Sequence, residues 1–120
     1  MRLCLPYPIS ANRYWRTFRN RTVRSAEAQA YKNHVVGAAL AAGERKIDGD
    51  VAVMVTFHPK RTKKGEASKT CIDLDNSLKV VLDALNGIAY HDDKQIKRIV
   101  AEHGCAVDDG GVTVEVSCYE

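Results

Sequence analysis

Acidic residues stand at both ends of one predicted helix. Asp73 and Asp75 are separated by a single residue before it, and Asp92 and Asp93 follow it. Carboxylates at this spacing, where the chain changes direction, can turn toward one point. Like charges held together are unfavourable unless a cation lies between them, and oxygen ligands without Cys or paired His favour Mg²⁺ or Mn²⁺ over zinc. The spacing indicates a hard-cation site, and a helix N-cap is the alternative role for Asp75.

Lys79 follows Asp75 by four residues on the same predicted helix. At this spacing its ammonium can reach the carboxylates or a phosphate held beside them. The alternative is a surface ion pair that contributes roughly 0.3–0.5 kcal/mol. Acids that can bind a hard cation, a lysine beside them and arginine-rich segments nearby together describe metal-assisted phosphodiester hydrolysis.

The net charge of +3 conceals an uneven distribution along the chain. Residues 1–69 carry 14 basic and 5 acidic residues, whereas residues 70–120 carry 4 and 10. Two basic clusters, one interleaved with Tyr14, Trp15 and Phe18, suit a polyanion that has both phosphates and base faces, and solvated loops are the alternative. The predicted DNA contacts in these clusters are Arg13, Arg16, Arg19, Arg21 and Arg24, and then Lys60, Arg61, Lys63, Lys64 and Lys69.

Composition and motifs exclude several classes of protein. With 120 residues, 45% hydrophobic and 28% charged, we expect one globular domain over residues 1–120. No apolar run reaches the roughly 20 residues of a membrane span, and the first residues lack the apolar core of a signal peptide, so we expect a cytoplasmic protein that does not enter a membrane. An EF-hand starting at Asp73 fails at Leu78 and Ala84, and no phosphate-binding glycine loop occurs. The four cysteines form no C-x-x-C pair, and we expect small buried hydrophobes.

The first half of the chain alternates strand, loop and helix signals. Residues 2–5 can form a short strand, and residues 6–24 read as a basic arm or loop. Ser25 is a suitable N-cap for a helix over 26–42, which Gly43 ends. A β-rich run over 51–57 predicts a central strand, and residues 60–70 form a basic loop.

The second half predicts one amphipathic helix and two strands. From Asp75 an apolar arc is opposed by a polar one, strands follow over 96–107 and 112–116, and Asp108 to Gly111 predicts a hairpin turn between them. The order β-α-β-α-β-β gives an α/β (α+β) fold, a mixed sheet with two main helices. The apolar arc of the helix contains Leu78, Val81, Leu82 and Leu85, and the polar arc contains Asp75, Asn76, Lys79, Asp83 and Asn86.

Four short motifs, in one order over nearly the whole chain, resemble the RusA family of Holliday junction resolvases. The chain departs from the family where relatives carry an arginine-rich run before the D-x-D, since it has Lys69-Thr70-Cys71-Ile72 there. The matching motifs are Pro6-x-Pro8-x-Ser10-x-Asn12-Arg13-Tyr14, Ser25-Ala26-Glu27-x-Gln29-Ala30-Tyr31, Asp73-Leu74-Asp75-Asn76-x-x-Lys79 and Asp92-Asp93-x-Gln95.

This resemblance implies a homodimeric endodeoxyribonuclease that depends on Mg²⁺, with Mn²⁺ as a substitute, and acts in DNA recombination and repair. It implies paired symmetric nicks in a four-way DNA junction and a phage or prophage origin. The catalytic and metal-binding carboxylates fall on Asp73, Asp75 and Asp93, the active-site lysine on Lys79, and a DNA-contacting asparagine on Asn76. Two alternatives remain: a non-catalytic DNA-binding module, and a nuclease that prefers another branched DNA.

Overall fold

The computed structural model describes residues 1–9, 15–18, 21–65 and 74–120. Within these ranges a mixed sheet of four strands carries two helices, which confirms the predicted fold class. A short 3₁₀ turn at Asp93–Gln95 precedes the fifth strand. The strands are β1 (Arg2–Leu5), β2 (Trp15–Phe18), β3 (Arg21–Arg24), β4 (Val51–His58), β5 (Ile96–His103) and β6 (Gly111–Cys118), and the helices are α1 (Ala26–Ala41) and α2 (Leu74–Leu85).

The sheet has the order β1-β6-β4-β5, so β4 lies inside it as predicted. β4 is parallel to β5 and antiparallel to β6, which is itself antiparallel to β1. Side chains alternate across a strand, and every second residue of β4 is buried. These residues, Val51, Val53, Val55 and Phe57, pack with both helices in one core that covers a single face of the sheet.

The two helices are held at their ends by specific contacts. The Ser25 hydroxyl accepts a hydrogen bond from the Ala28 amide, which confirms the predicted N-cap of α1, and Gly43 follows the helix with a φ of 69° that favours glycine. At the C-terminal end of α2, the Lys32 side chain of α1 donates from Nζ to three carbonyl oxygens. These belong to Asp83, Ala84 and Asn86, at 3.3, 3.4 and 2.9 Å. A cation at a helix C-terminus satisfies carbonyls that have no partner within the helix. This contact fixes the end of α2 against α1.

Two predicted features of the chain path are wrong. The arm over 6–24 contains an antiparallel pair, β2 and β3, whose four-residue strands are too short to show alternation in sequence. The predicted hairpin across Asp108 to Gly111 does not form, because β4 lies between β5 and β6. β5 ends at His103 and not at Val107, and the connection passes the end of β4. A local turn signal does not reveal which strands become neighbours.

The apolar arc of α2 is displaced from the predicted one, and the cysteines differ from expectation. Val81 and Leu85 are fully buried, whereas Leu78 and Leu82 are half-buried. Cys4, Cys105 and Cys118 are exposed free thiols, so the expectation of buried cysteines is wrong for these three, and Cys71 lies outside the described residues. The helices of the described chain include none that is long and apolar enough to cross a membrane.

Candidate active site

One face of α2 presents charged residues at helical spacing. Asp75, Lys79 and Asp83 follow one another at intervals of four residues, which places them in line about 6 Å apart. Asp75 and Lys79 are exposed and Asp83 is half-buried. α2 begins at Leu74, so Asp75 lies in the first turn and is not the N-cap that its position suggested. A carboxylate in the first turn is favoured by the helix dipole, and its exposure leaves it accessible to a ligand.

The turn after α2 is built by Asp92 and Gln95. The Asp92 carboxylate accepts a hydrogen bond from the Lys94 amide at 2.9 Å and caps the 3₁₀ turn. Gln95 Oε1 accepts from the amides of His91 and Asp92 at 2.7 and 3.0 Å, which completes a capping box. Asp92 therefore has a structural role, and the third candidate acid of the site is Asp93.

The Gln95 amide also ties this turn to the loop before β4. Its Nε2 donates to the carbonyl oxygens of Ile47 and Gly49 at 2.9 and 2.7 Å. The same side chain thus accepts from one segment and donates to another. It holds the backbone of Asp93 between α2 and β5.

The two neighbouring carboxylates of this turn have opposite pKa shifts. The hydrogen bond from the Lys94 amide lowers the pKa of Asp92, because it favours the charged form. The side-chain hydrogen bond with Asp92 raises the pKa of Asp93, and the negative charge of Asp92 adds to this effect. Asp93 thus carries a charge that its neighbour disfavours, and a cation would relieve it.

Lys79 and Asp93 meet in one groove of about 310 Å³. Tyr90 is fully buried and donates a hydrogen bond to the Leu82 carbonyl oxygen at 2.8 Å. Its pKa is raised by burial and by the negative charges of Asp93 and Asp83. Asp83 and Asp93 both line the groove. The lining of the groove consists of Trp15, Lys79, Leu82, Asp83, Asn86 and Asp93.

Besides the apolar Leu82, three residues of this groove were not predicted as site residues. Asp83 and Asn86 belong to the same polar arc as Lys79, and this spacing was the signal available in the sequence. Asn86 Oδ1 is buried, and it accepts no hydrogen bond from any residue that the structure describes. Trp15 reaches the groove from β2, and its side chain is 36% exposed. No pattern in the sequence indicates that the arm brings an aromatic ring beside Lys79.

The donor set of this region fits a hard cation. Asp75 and Asp93 supply carboxylate oxygens, and neither Cys nor His occurs among the described residues that line the groove. Within the described ranges no three acidic or soft ligands are grouped closely enough to enclose a metal ion. Asp73, the remaining predicted ligand, lies outside the described residues. Of the three predicted carboxylates, Asp93 lines the groove, and Asp75 lies on α2 one helical turn before Lys79.

Lys60 and Arg61, at the start of the second basic cluster, make contacts within the chain. Arg61 Nη1 donates to Asp108 Oδ1 at 3.0 Å, and its Nη2 donates to the Ala106 carbonyl oxygen at 3.3 Å. Lys60 Nζ lies 4.8 Å from the centre of the Tyr7 ring, a cation–π contact. The Arg61 contacts join the start of the loop to the connection between β5 and β6, and the Lys60 contact joins it to the segment after β1. Lys63 and Lys64 are exposed in the following turn.

The remaining predicted DNA contacts belong to the arm, the second basic loop and α2. Arg21 is exposed on β3, and Asn76 is exposed in the first turn of α2. Arg16 and Arg24 are described as backbone positions of β2 and β3. Arg13, Arg19 and Lys69 lie outside the described residues.

Two comparisons with known proteins identify the family of this chain. Residues 6–117 match the profile of the endodeoxyribonuclease RusA family. The chain is 36% identical over 100 residues to the crossover junction endodeoxyribonuclease of Enterobacteria phage 82, an alignment that covers 78% of this chain and 74% of that protein. The proteins of the same name from Escherichia coli K12 and Shigella sonnei match with the same identity and coverage. The resemblance seen in the motifs is confirmed, and the chain belongs to the RusA family of Holliday junction resolvases, which are endonucleases.

Proposed function

We propose that this protein is a Mg²⁺-dependent, structure-selective endodeoxyribonuclease that resolves four-way DNA junctions by paired symmetric nicks during DNA recombination and repair. The observation that carries the proposal is the groove in which Lys79 lies beside Asp93, with Asp75 one helical turn away. Relatives named crossover junction endodeoxyribonuclease support the choice of substrate.

In the proposed reaction Asp73, Asp75 and Asp93 hold the cation. Mg²⁺, when bound, supplies positive charge against the scissile phosphate and lowers the pKa of a water molecule, and Mn²⁺ can substitute for it. Lys79 donates to a non-bridging or leaving oxygen and stabilises the negative charge that develops there. Asp92 and Gln95 act through the backbone, because their hydrogen bonds fix the turn that carries Asp93. The nicks are expected to leave 5′-phosphate and 3′-hydroxyl ends, which a ligase can seal.

The DNA is expected to approach across the arm and the second basic loop. Arg13, Arg16, Arg19, Arg21 and Arg24 are proposed to contact phosphates on one side of the groove. The loop is proposed to contribute Lys63, Lys64 and Lys69, together with any part of Lys60 and Arg61 that their contacts leave accessible. Asn76 is exposed beside Asp75 and is proposed to contact the strand that is cut.

A homodimer is part of the proposal. A four-way junction has two strands to cut at symmetric positions, and one chain carries one set of acids. Two active sites related by a two-fold axis match a substrate with the same symmetry.

The test is a gel assay with a synthetic four-way junction, a three-way junction, a flap and a linear duplex, each with and without Mg²⁺. We expect nicks at symmetric positions in the four-way junction, in the presence of Mg²⁺ only, and ligation should restore intact strands. Equal cutting of all four DNAs would contradict the proposed substrate. Binding without nicking in Mg²⁺ or Mn²⁺ would support the alternative of a non-catalytic DNA-binding module.

A further inference from the structure

The groove beside α2 is lined by two chemically different kinds of side chain. Lys79, Asp83 and Asp93 bring charge to it, whereas Trp15 and Leu82 bring apolar surface. The Trp15 side chain is 36% exposed, and Leu82 is half-buried. A nucleotide combines the same two kinds of surface, since it joins a charged phosphate to a base with flat apolar faces. The lining of the groove therefore suits a whole nucleotide better than a phosphate alone.

The proposed reaction gives Trp15 no part, although this residue borders the same groove as the reacting groups. Lys79 is carried by α2 and Asp93 by the turn before β5, whereas Trp15 opens β2 and pairs with Arg24 of β3. The strand pair therefore brings a large aromatic ring to the groove from a separate element. Exposed aromatic rings of proteins that bind unpaired strands serve as platforms on which bases stack, and every base has a face that can do so.

We infer that Trp15 stacks on the base of a nucleotide next to the scissile phosphate. Lys79 and Asp93 act at the phosphate, and the base attached to that part of the strand lies against the indole ring. The inference rests on the proposed function, because that function places the phosphate in this groove. It goes further because it assigns a site for a base, which the charged residues do not provide. Stacking tolerates all four bases, so the contact recognises an accessible base face and not a sequence.

This contact favours branched DNA over a continuous duplex. Inside a duplex both faces of every base pair are covered by neighbouring pairs. In an open four-way junction each arm ends at the branch point, so the last base pair of each arm has one uncovered face. Taking a base out of its stack is least unfavourable where its pairing and stacking are already interrupted. Trp15 therefore gives the groove a means to distinguish a branch point from a duplex.

The test uses the intrinsic fluorescence of the parent protein, because Trp15 is the only tryptophan in the chain. The protein is titrated without Mg²⁺ with three DNAs: a fixed four-way junction, the same junction without the bases of the nucleotides at the branch point, and a linear duplex. Gel shifts establish saturation for each. Stacking on a base quenches indole fluorescence, so we expect strong quenching by the intact junction and little by the other two. Equal quenching by both junctions at saturation would overturn the inference.

Substitutions of Trp15 test the same contact through affinity. Trp15→Ala should raise the dissociation constant of the intact junction by about tenfold or more, because a stacked base is lost. It should leave the affinity for the linear duplex, and for the junction without branch-point bases, at the parental value. Trp15→Phe retains an aromatic ring and should recover part of the affinity, which a purely structural role would not require. Denaturant unfolding establishes that each variant is folded, and the fluorescence titration decides the question if Trp15→Ala is not.

Tyr119→Ala is the matched control. Tyr119 is also an exposed aromatic residue, at 44%, and it is not part of the groove lining. This variant should bind all three DNAs as the parent does. If it weakens junction binding as much as Trp15→Ala does, or if a folded Trp15→Ala variant binds the intact junction with parental affinity, the inference is overturned.

Nicking in Mg²⁺ is measured in parallel, so that failure of the base contact is distinguished from failure of the function. A parent that nicks the four-way junction while its fluorescence is unchanged by junction binding would overturn only the base contact. A parent whose fluorescence is quenched by the intact junction alone, but which nicks no branched DNA, would contradict the proposed nuclease and support the base contact.

Discussion

Two charged regions of this molecule differ in how their charges are satisfied. At the base of the second basic loop, Arg61 is paired with Asp108 and Lys60 lies over the Tyr7 ring. In the groove beside α2, Asp93 has a raised pKa because its hydrogen-bonded neighbour is another carboxylate. The charges of Arg61 and Lys60 have partners within the chain. The charged form of Asp93, in contrast, would be stabilised by a ligand that brings positive charge. The number of charged residues in a segment therefore indicates less about function than the partners that each charged side chain has in the fold.

The largest expected effect is loss of cleavage on neutralising the acids that are proposed to hold the cation. Asp75→Asn keeps the size of the side chain and removes one charge from the cation site, so cleavage of the four-way junction in Mg²⁺ should fall roughly a hundredfold or more. Binding should be equal or tighter, because the acids repel phosphate. Asp73→Asn should behave in the same way. The measurement is nicking rate and gel-shift affinity for each variant.

Asp109→Asn serves as a control for these variants. Asp109 is an exposed acid in the connection between β5 and β6, away from the groove. It should leave both nicking and binding unchanged. Parental cleavage by a folded Asp75→Asn variant would mean that this acid only stabilises the helix.

A somewhat smaller loss is expected from Lys79→Met. It removes the ammonium from the groove but retains most of the length and apolar stem, so the cleavage rate at saturating DNA should fall about a hundredfold. Binding should change little, since one phosphate contact among many is lost. Lys46→Met, at an exposed lysine outside this groove, is the control and should cut at the parental rate. An equal loss in both variants would indicate a general charge effect.

The arginine arm should affect binding more than the chemical step. Replacing Arg13, Arg16 and Arg19 together by Ala should weaken binding to the junction and reduce its salt dependence, because each lost phosphate contact removes roughly 0.9 from the log–log slope on B-DNA. Titrations at several salt concentrations measure this slope. An unchanged slope would mean that the arm is only solvated and makes no phosphate contacts.

The smallest effects should separate the paired from the exposed cations of the second basic loop. Arg61→Ala should lower the free energy of unfolding by about 0–1 kcal/mol, because its ion pair is on the surface, and should change the salt slope little. Lys63→Ala/Lys64→Ala should leave stability unchanged and reduce the slope. Denaturant unfolding and salt titration of the same variants check both. A reduced salt slope for Arg61→Ala, together with an unchanged slope for Lys63→Ala/Lys64→Ala, would show that Arg61 contacts DNA instead of Asp108.

Much of the fold could be predicted because its signals are local. Ser25 and Gly43 bound α1 through hydrogen bonding and backbone conformation, and the β-branched run beginning at Val51 forms the inner strand. The position of β4 between β5 and β6 could not be predicted. A turn sequence such as the one ending at Gly111 does not record that another strand is inserted between its flanking strands.

The residue types of the candidate site could be predicted more readily from the sequence than the separate roles of Asp92 and Asp93. Asp92 and Asp93 have the same chemistry and adjacent positions, and only the hydrogen bond from the Lys94 amide distinguishes them. The contribution of Trp15 depends on the placement of β2 beside α2, which no periodicity encodes. The prediction that Asp75 and Lys79 lie on one helix is confirmed, and their roles in catalysis stay a prediction.

The most direct test of the account compares Asp93→Asn with Asp92→Asn on a four-way junction in Mg²⁺. The account predicts that Asp93→Asn binds the junction but loses cleavage by orders of magnitude, with slight recovery in Mn²⁺. It predicts that Asp92→Asn retains most cleavage, because asparagine can still accept the hydrogen bond from the Lys94 amide and cap the turn. Equal loss in both variants, or parental cleavage by Asp93→Asn, would contradict the assignment of Asp93 to the reaction and of Asp92 to the turn.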